Sequence, residues 1–306
     1  MGGGRAGAGM TPGAPSRGPV QVSGPVQVSG QVLSLKRVGA YFQLALVADG
    51  IAESTRPGHF VALAVGGEQS SMLLRRSFSI YRVRPRGAYG GTVEVVFAVT
   101  GKGTAWLAGL DKSDPVDVVG PLGRPFSQPL EPVPCVLVGG GYGSAPLFML
   151  AESLRARGCG VHMVLGAANH ERVFGALEAK RAAQSVLVTT EDGSVGVRGR
   201  VTDVLPDLIR RVGAAVVYAC GPMGMLAAVS AIAAERGVWS QTAVEESMAC
   251  GIGVCMTCVL PVTGDDGITR MVRSCVEGPV FRGDRVRWDE VGAILPEMSA
   301  IPLGSQ

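Results

Sequence analysis

Val136-Leu137-Val138-Gly139-Gly140-Gly141-Tyr142-Gly143-Ser144-Ala145-Pro146 decides the fold of the second half of the chain. Its first three residues form a short apolar run with strand character. The glycines make a tight turn, and residues 144–157 carry helical spacing. A glycine-rich turn between strand and helix is where a dinucleotide pyrophosphate docks in an open α/β sheet. The stretch departs from a strict G-x-G-x-x-G, because Pro146 stands where the last glycine counted from Gly141 would fall. Proline suits a first helical turn. The same alternation continues downstream, with strands expected at residues 161–165, 186–190 and 215–219 and helices at 173–183, 201–211 and 223–236. Strands alternating with helices mean βαβ units and a parallel sheet.

Upstream of Pro132 the pattern is all β. Short strands are expected at residues 32–38, 42–47, 60–65, 77–83, 92–100 and 116–119, separated by Gly and Pro, with one helical piece at 104–110. Near-regular short strands predict a sandwich or barrel. Residues 1–30 are Gly, Pro, Ser and Ala with the repeat Pro-Val-Gln-Val-Ser-Gly, too poor in apolar surface to order themselves. They are read as a flexible tail whose second repeat begins the first strand. The expected organisation is α+β and multi-domain: a tail (1–30), an antiparallel β-barrel (31–131), an α/β parallel-sheet domain (132–244) and a C-terminal cysteine region (245–306) with a hairpin around Gly264-Asp265-Asp266-Gly267.

The cysteine region carries the most specific signal. Cys250, Cys255, Cys258 and Cys275 have the spacing C-x4-C-x2-C-x16-C, the arrangement that holds a [2Fe–2S] cluster in plant-type ferredoxins. Gly251 and Gly253 lie inside the first loop, where the backbone must curl, and a curled loop aims N–H groups at cluster sulfurs. A structural zinc site usually shows two short-spaced Cys/His pairs, and the second pair is missing here. Disulfides would suit a secreted chain, and the N-terminus has no apolar signal region. The remaining thiols, Cys135, Cys159 and Cys220, are core candidates, and a cluster plus free thiols fits a reducing cytosol. Residues 132–151 and 213–234 lack charge, but glycine clusters and prolines break them into strand, turn and helix, which excludes a spanning segment.

With 306 residues, two domains are expected; the chain is 47% hydrophobic and only 17% charged, and its net charge of +3 argues against a nucleic-acid or acidic-membrane partner. Its 45 glycines point to tight turns and close backbone–ligand approaches. Arg76-Ser77-Phe78-Ser79 on a strand supplies a guanidinium for phosphate, hydroxyls for a ring edge and an aromatic face, although strand arginines are more often simply solvated. Thr100-Gly101-Lys102-Gly103-Thr104 precedes a helix and suits an anion or a capped turn, with Thr104 as N-cap. Cys220-Gly221-Pro222 ends a strand, where Gly221 permits close approach to a flat ring. Glu191-Asp192-Gly193 suits a ribose contact or a solvated turn. His59, His162 and His170 lack metal or catalytic spacing, and no residue is singled out as a catalytic acid, base or nucleophile.

In chain order, the Arg76–Ser79 strand, the turns at Gly101, Gly139 and Gly221, and the terminal cysteines resemble the ferredoxin–NADP reductase superfamily, and most closely its dihydroorotate dehydrogenase electron-transfer subunits. The resemblance runs from about Val32 to about Phe281. It implies a barrel that binds FAD through Arg76, Ser77, Phe78, Ser79, Val96, Phe97, Ala98, Gly103 and Thr104. It implies an NAD(P)H site at Gly139, Gly140, Gly141, Gly143, Cys220, Gly221 and Pro222, and a [2Fe–2S] cluster on Cys250, Cys255, Cys258 and Cys275. The family strand usually reads Arg-Pro-x-Ser, so Ser77 is a departure. The implied activity is NAD(P)H-dependent oxidoreduction: electrons pass from NADH through FAD and the cluster to the FMN of a separate dihydroorotate dehydrogenase catalytic subunit, in pyrimidine biosynthesis in the cytoplasm, as a hetero-oligomer. Alternatives are a related subunit serving a sulfide dehydrogenase, transhydrogenase or hydrogenase, or a non-enzymatic metal-binding module on a reductase scaffold.

Overall fold

The computed structural model describes residues 24–67, 70–85 and 90–292. Most of the segment read as a tail lies outside them. The first half is a closed six-stranded antiparallel barrel in the order β1-β2-β5-β4-β3-β6. Its strands are β1 (Val26–Val38), β2 (Tyr41–Val47), β3 (Phe60–Leu63), β4 (Arg76–Arg84), β5 (Thr92–Phe97) and β6 (Pro115–Leu122), with short helices α1 (Ile51–Ser54) and α2 (Lys102–Ala108) between them. β1 begins inside the second hexapeptide repeat. Its first half pairs with β6 and its second half with β2, which closes the barrel and leaves no free edge. Leu44, Leu46, Val61, Leu63, Ile80, Val95 and Val118 fill the interior and are fully buried.

The second half is a seven-stranded sheet. Its elements are β7 (Pro134–Gly140), α3 (Ala145–Ala156), β8 (Gly160–Ala167), α4 (Ala176–Ala182), β9 (Ser185–Thr190), β10 (Val197–Arg198), α5 (Val201–Val212), β11 (Val216–Cys220), α6 (Met223–Glu235) and β12 (Trp239–Ala243). The cysteine segment follows, with the hairpin β13 (Val259–Thr263) and β14 (Thr269–Arg273), and the chain returns in β15 (Val280–Arg282). The order is β10-β9-β8-β7-β11-β12-β15, all parallel except for β15. β7 and β11 are continuous apolar runs because helices cover both faces of the sheet. α5 turns Val201, Leu205, Leu208 and Ile209 inward at helical spacing. Asp203 caps its start by accepting the Arg200 N–H at 2.8 Å, and Gly213 ends it at φ +60°.

Three of these strands, β10, β12 and β15, have no counterpart in the sequence reading, and the last two decide where the cysteines sit. Ala243 pairs with Val280 and Thr242 with Phe281. The whole cysteine segment is therefore an excursion between two hydrogen-bonded neighbours and is anchored to the sheet at both ends.

An aromatic seam fixes the barrel on the sheet domain. Tyr81 packs edge-on against Phe148 and Phe174, with ring centroids 6.0 and 5.5 Å apart. The Tyr81 hydroxyl donates to Glu178, which also pairs with Arg82, and the Tyr41 hydroxyl donates to the Arg172 carbonyl at 2.9 Å.

His59 is buried. It is 7% exposed, and its Nδ1 accepts the Arg56 N–H at 3.1 Å. Burial, and secondarily Arg56, lowers its pKa to about 4. An unfolded chain takes up the proton near pH 6.5, whereas the folded chain resists until about pH 4. Stability is therefore complete above that window and falls as pH drops through it, by up to about 3 kcal/mol. Denaturant midpoints measured across this range should show the loss, and His59→Gln should flatten it.

Candidate functional site

Two cavities lie side by side at the seam, and the cysteine loop packs behind the wall of the first. The first, of about 360 Å³, is bounded on the barrel side by Arg76, Ser77, Phe78 and Ser79 of β4, by Val96 and Phe97 of β5, and by Ala98 and Thr104. Eight of the nine barrel residues implied by the resemblance thus converge on one space. The ninth, Gly103, sits behind it: a Cβ there would lie 3.0 Å from Arg76 Nε, so this glycine lets the guanidinium pack on the helix turn. Thr104 is not the N-cap. Gly101 holds that position, and Thr104 reaches back so that its Oγ1 accepts the N–H groups of Thr100 and Gly101 at 2.9 and 3.1 Å. Sequence reasoning missed the opposite wall, formed by Glu246, Ser247, Met248 and Pro279. Those residues flank the cysteine segment, and the β12–β15 pairing, with a bridge between Arg124 and Pro279, brings them to the barrel.

The second cavity, of about 590 Å³, opens at the C-terminal ends of the parallel strands, where an α/β sheet binds its ligand. Gly140, Gly141, Gly143 and Pro222 line it. Gly139, Cys220 and Gly221 lie behind the wall instead. A Cβ on Gly139 would meet Ser144 Cβ at 2.4 Å, and Cys220 is 1% exposed with its thiol pKa raised well above the usual value by burial. Glu191 lines the cavity, together with Thr189, Arg172 and Arg200, which the sequence did not single out. The buried Thr189 hydroxyl has no protein partner. A polyhydroxylated ligand would supply one, so the lining fits a dinucleotide ribose.

Tyr142, Gly143 and Glu245 line both cavities and mark where they join. Burial, with Glu245 next, pushes the Tyr142 hydroxyl pKa up to about 12, and partial desolvation raises that of the Glu245 carboxyl. Both groups are protonated more readily than in water.

The four cysteines are brought together two and two. Cys250 lies beside Cys255, and Cys258 beside Cys275. Among the described residues, no three His, Cys, Asp or Glu side chains gather as a single ion requires. Two thiol pairs match the needs of a two-iron cluster. Gly251 and Gly253 take φ +71° and +84°, and the Val254 N–H donates to Cys250 Sγ at 3.3 Å, so the loop curls as expected. Cys258 and Cys275 pack with Phe60, Ala62 and Leu122 of the barrel, while Cys255 is exposed among Ile252, Val254 and Met256. Hydrogen bonds from the Thr257 side chain and backbone lower the Cys255 pKa to about 6, and burial pushes Cys275 up to about 12. The loop also backs the first cavity: a Cβ on Gly251 would stand 3.6 Å from Ser77 Oγ.

No described helix is long and apolar enough to cross a membrane. Residues 245–287 match the family described as the iron–sulfur cluster binding domain of dihydroorotate dehydrogenase B. The chain is 39% identical over 250 residues to the dihydroorotate dehydrogenase B (NAD(+)) electron transfer subunit of Geobacillus thermodenitrificans, covering 80% of this chain and 92% of that one. It is 35% identical to the subunit of the same name from Desulforamulus reducens, covering 79% and 90%. Among solved structures, an NADH-dependent reduced ferredoxin–NADP oxidoreductase studied for flavin-based electron bifurcation superposes with a TM-score of 0.75 at 30% identity, covering 86% of this chain and 91% of its own. A ferredoxin–NADP+ reductase from Neisseria gonorrhoeae shares the fold with a TM-score of 0.55 at 15% identity, covering 70% and 92%.

Proposed function

This chain belongs to the family of dihydroorotate dehydrogenase B electron-transfer subunits, and from that premise we propose that it carries electrons from NADH through FAD and a [2Fe–2S] cluster to a separate, FMN-containing catalytic subunit that forms orotate. The observation that carries the reading is continuity. The second cavity joins the first at Tyr142, Gly143 and Glu245, and the first shares a wall with the cysteine loop at Ser77. Donor, flavin and cluster sites thus follow one another without a gap.

When bound, FAD would supply two-electron acceptance of a hydride, and a cluster one-electron transfer onward. The chain's own residues bind, orient and shield. Arg76 would hold a flavin phosphate, with Ser77 and Ser79 at the ring edge and Phe78 beside it. The glycine turn after β7, with Pro222 facing it, would admit the dinucleotide backbone. Cys250, Cys255, Cys258 and Cys275 would hold the cluster. The exposed Ile252, Val254 and Met256 surround Cys255 and give a docking partner an apolar face. Free buried thiols and a thiolate-held cluster suit the cytoplasm.

A related subunit serving another reductase is the second reading, favoured by the 30% identical NADH-dependent oxidoreductase structure. Purification with the native partner separates the two. The expected preparation shows flavin bands over broad iron–sulfur absorption, bleaches on adding NADH, and forms orotate only with a dihydroorotate dehydrogenase catalytic subunit. Orotate formation equally well without this chain, or a colourless zinc-loaded protein, would sink the reading.

A further inference from the structure

Arg273 ends β14, two positions before Cys275, and lines neither cavity. Its guanidinium makes two contacts. Nη1 donates to the Gly253 carbonyl at 2.9 Å, and Nη2 pairs with Glu277 Oε1 at 2.8 Å. The other Glu277 oxygen accepts the Arg273 backbone N–H at 3.0 Å, so the pair is fixed at both ends. The peptide that Arg273 grips joins Gly253 to Val254. The N–H of that same peptide, on Val254, donates to Cys250 Sγ at 3.3 Å. Guanidinium, amide and sulfur therefore form one connected line of donors. A cation on an amide oxygen polarises the amide and strengthens its N–H as a donor.

The closeness is built in. A Cβ on Gly253 would meet Val276 Cγ2 at 2.5 Å, so only glycine lets the first cysteine loop settle against the turn carrying the fourth cysteine. The side chains of Arg273 and Glu277 remain about one-third exposed. Solvent screens such a pair, which makes it a weak device for stability alone.

We propose that Arg273 and Glu277 form a tuning pair for the cluster: Arg273 raises its reduction potential through the Gly253–Val254 peptide and through its own charge, and Glu277 offsets part of that charge. The proposal rests on the reading that the four cysteines hold an iron–sulfur cluster. Reduction adds one negative charge to the cluster, and both a nearby cation and stronger N–H donors favour the charged form.

The test is a potentiometric titration of the full-length, cluster-loaded protein, followed by the absorption and electron paramagnetic resonance of the cluster. Arg273→Gln removes the cation and the grip on Gly253, and should shift the reduction equilibrium about tenfold toward the oxidised form, ~59 mV for a one-electron couple. Arg273→Lys keeps the charge and loses the fork, so it should shift less in the same direction. Glu277→Gln leaves the cation unopposed and should shift the potential upward. A purely structural clamp would move neither potential, or both the same way, and either result with intact cluster spectra overturns the proposal. If Arg273→Gln loads no cluster, Glu277→Gln decides alone: an upward shift supports the pair, and no shift or a downward one overturns it. A wild-type protein lacking iron–sulfur absorption would instead overturn the functional reading beneath the proposal, and the proposal with it.

Discussion

Cys258→Ala should remove the cluster and stop electron delivery to the catalytic subunit while NADH still bleaches the flavin. Cys258 is 2% exposed, lies beside Cys275, and packs with Phe60, Ala62 and Leu122 of the barrel. Its loss leaves one thiol pair incomplete in a place that water cannot enter to supply a substitute ligand. Iron and acid-labile sulfide should fall to background, and so should reduction of one-electron acceptors. The first cavity keeps its barrel wall, because Arg76, Ser77, Phe78 and Ser79 are held by pairing with β3, and the rest of β4 by pairing with β5, rather than by the cysteine loop. Flavin content and the rate of its reduction by NADH should therefore stay within a few-fold of wild type. Cys159→Ala is the control. Cys159 is also buried, but lies in the sheet-domain core, where truncation costs about 1 kcal/mol of packing and no iron. A Cys258→Ala protein that retains its iron would remove this residue from the cluster site.

The barrel, the parallel sheet and the cysteine loop were legible because each has a local signature. Apolar strands between Gly and Pro mark the barrel, the run from Val136 into the glycine turn marks the sheet, and the thiol spacing marks the loop. β12 was not legible. It reads Trp-Ser-Gln-Thr-Ala, and three polar residues, Ser240, Gln241 and Thr242, are buried in it. Gln241 tolerates burial because its amide exchanges hydrogen bonds with the Ser127 backbone, accepting at 2.9 Å and donating at 2.7 Å. That partner is 114 residues away in sequence, so no local pattern announces it. β15 spans three residues, too few for a periodicity. Without these two strands the cysteine region looks like a C-terminal appendage, and the far wall of the first cavity cannot be foreseen. The second cavity was half legible for the same reason. Its glycine turn has a signature, but Thr189, Arg172 and Arg200 meet it only through the register of four parallel strands.

Gly143→Ala should slow flavin reduction by NADH about a hundredfold while leaving the flavin and iron–sulfur spectra unchanged. The turn after β7 and the turn after β11 touch backbone to backbone. A Cβ on Gly143 would stand 2.7 Å from Gly221 Cα and 3.2 Å from the Cys220 carbonyl oxygen. The Cys220 carbonyl ends the buried central strand β11, paired to β7 opposite Gly139, and Gly221 follows it directly, so these backbone atoms cannot swing aside as a side chain would. The extra methyl must be absorbed by the β7 turn, which carries Tyr142 and Gly143 at the junction of the two cavities. Overpacking of this kind costs about 1–3 kcal/mol of stability, but the larger effect is positional. Hydride transfer needs its two reactants held within a narrow distance, and a displacement of about 1 Å costs about a hundredfold in rate. Anaerobic stopped-flow bleaching of the flavin measures it directly. Gly109→Ala is the matched control: at φ −102° any residue fits, and its new Cβ would find no atom nearer than 3.6 Å. It should reduce at the wild-type rate. A Gly143→Ala protein that did the same would mean that the contact between the two turns does not set the distance between donor and flavin.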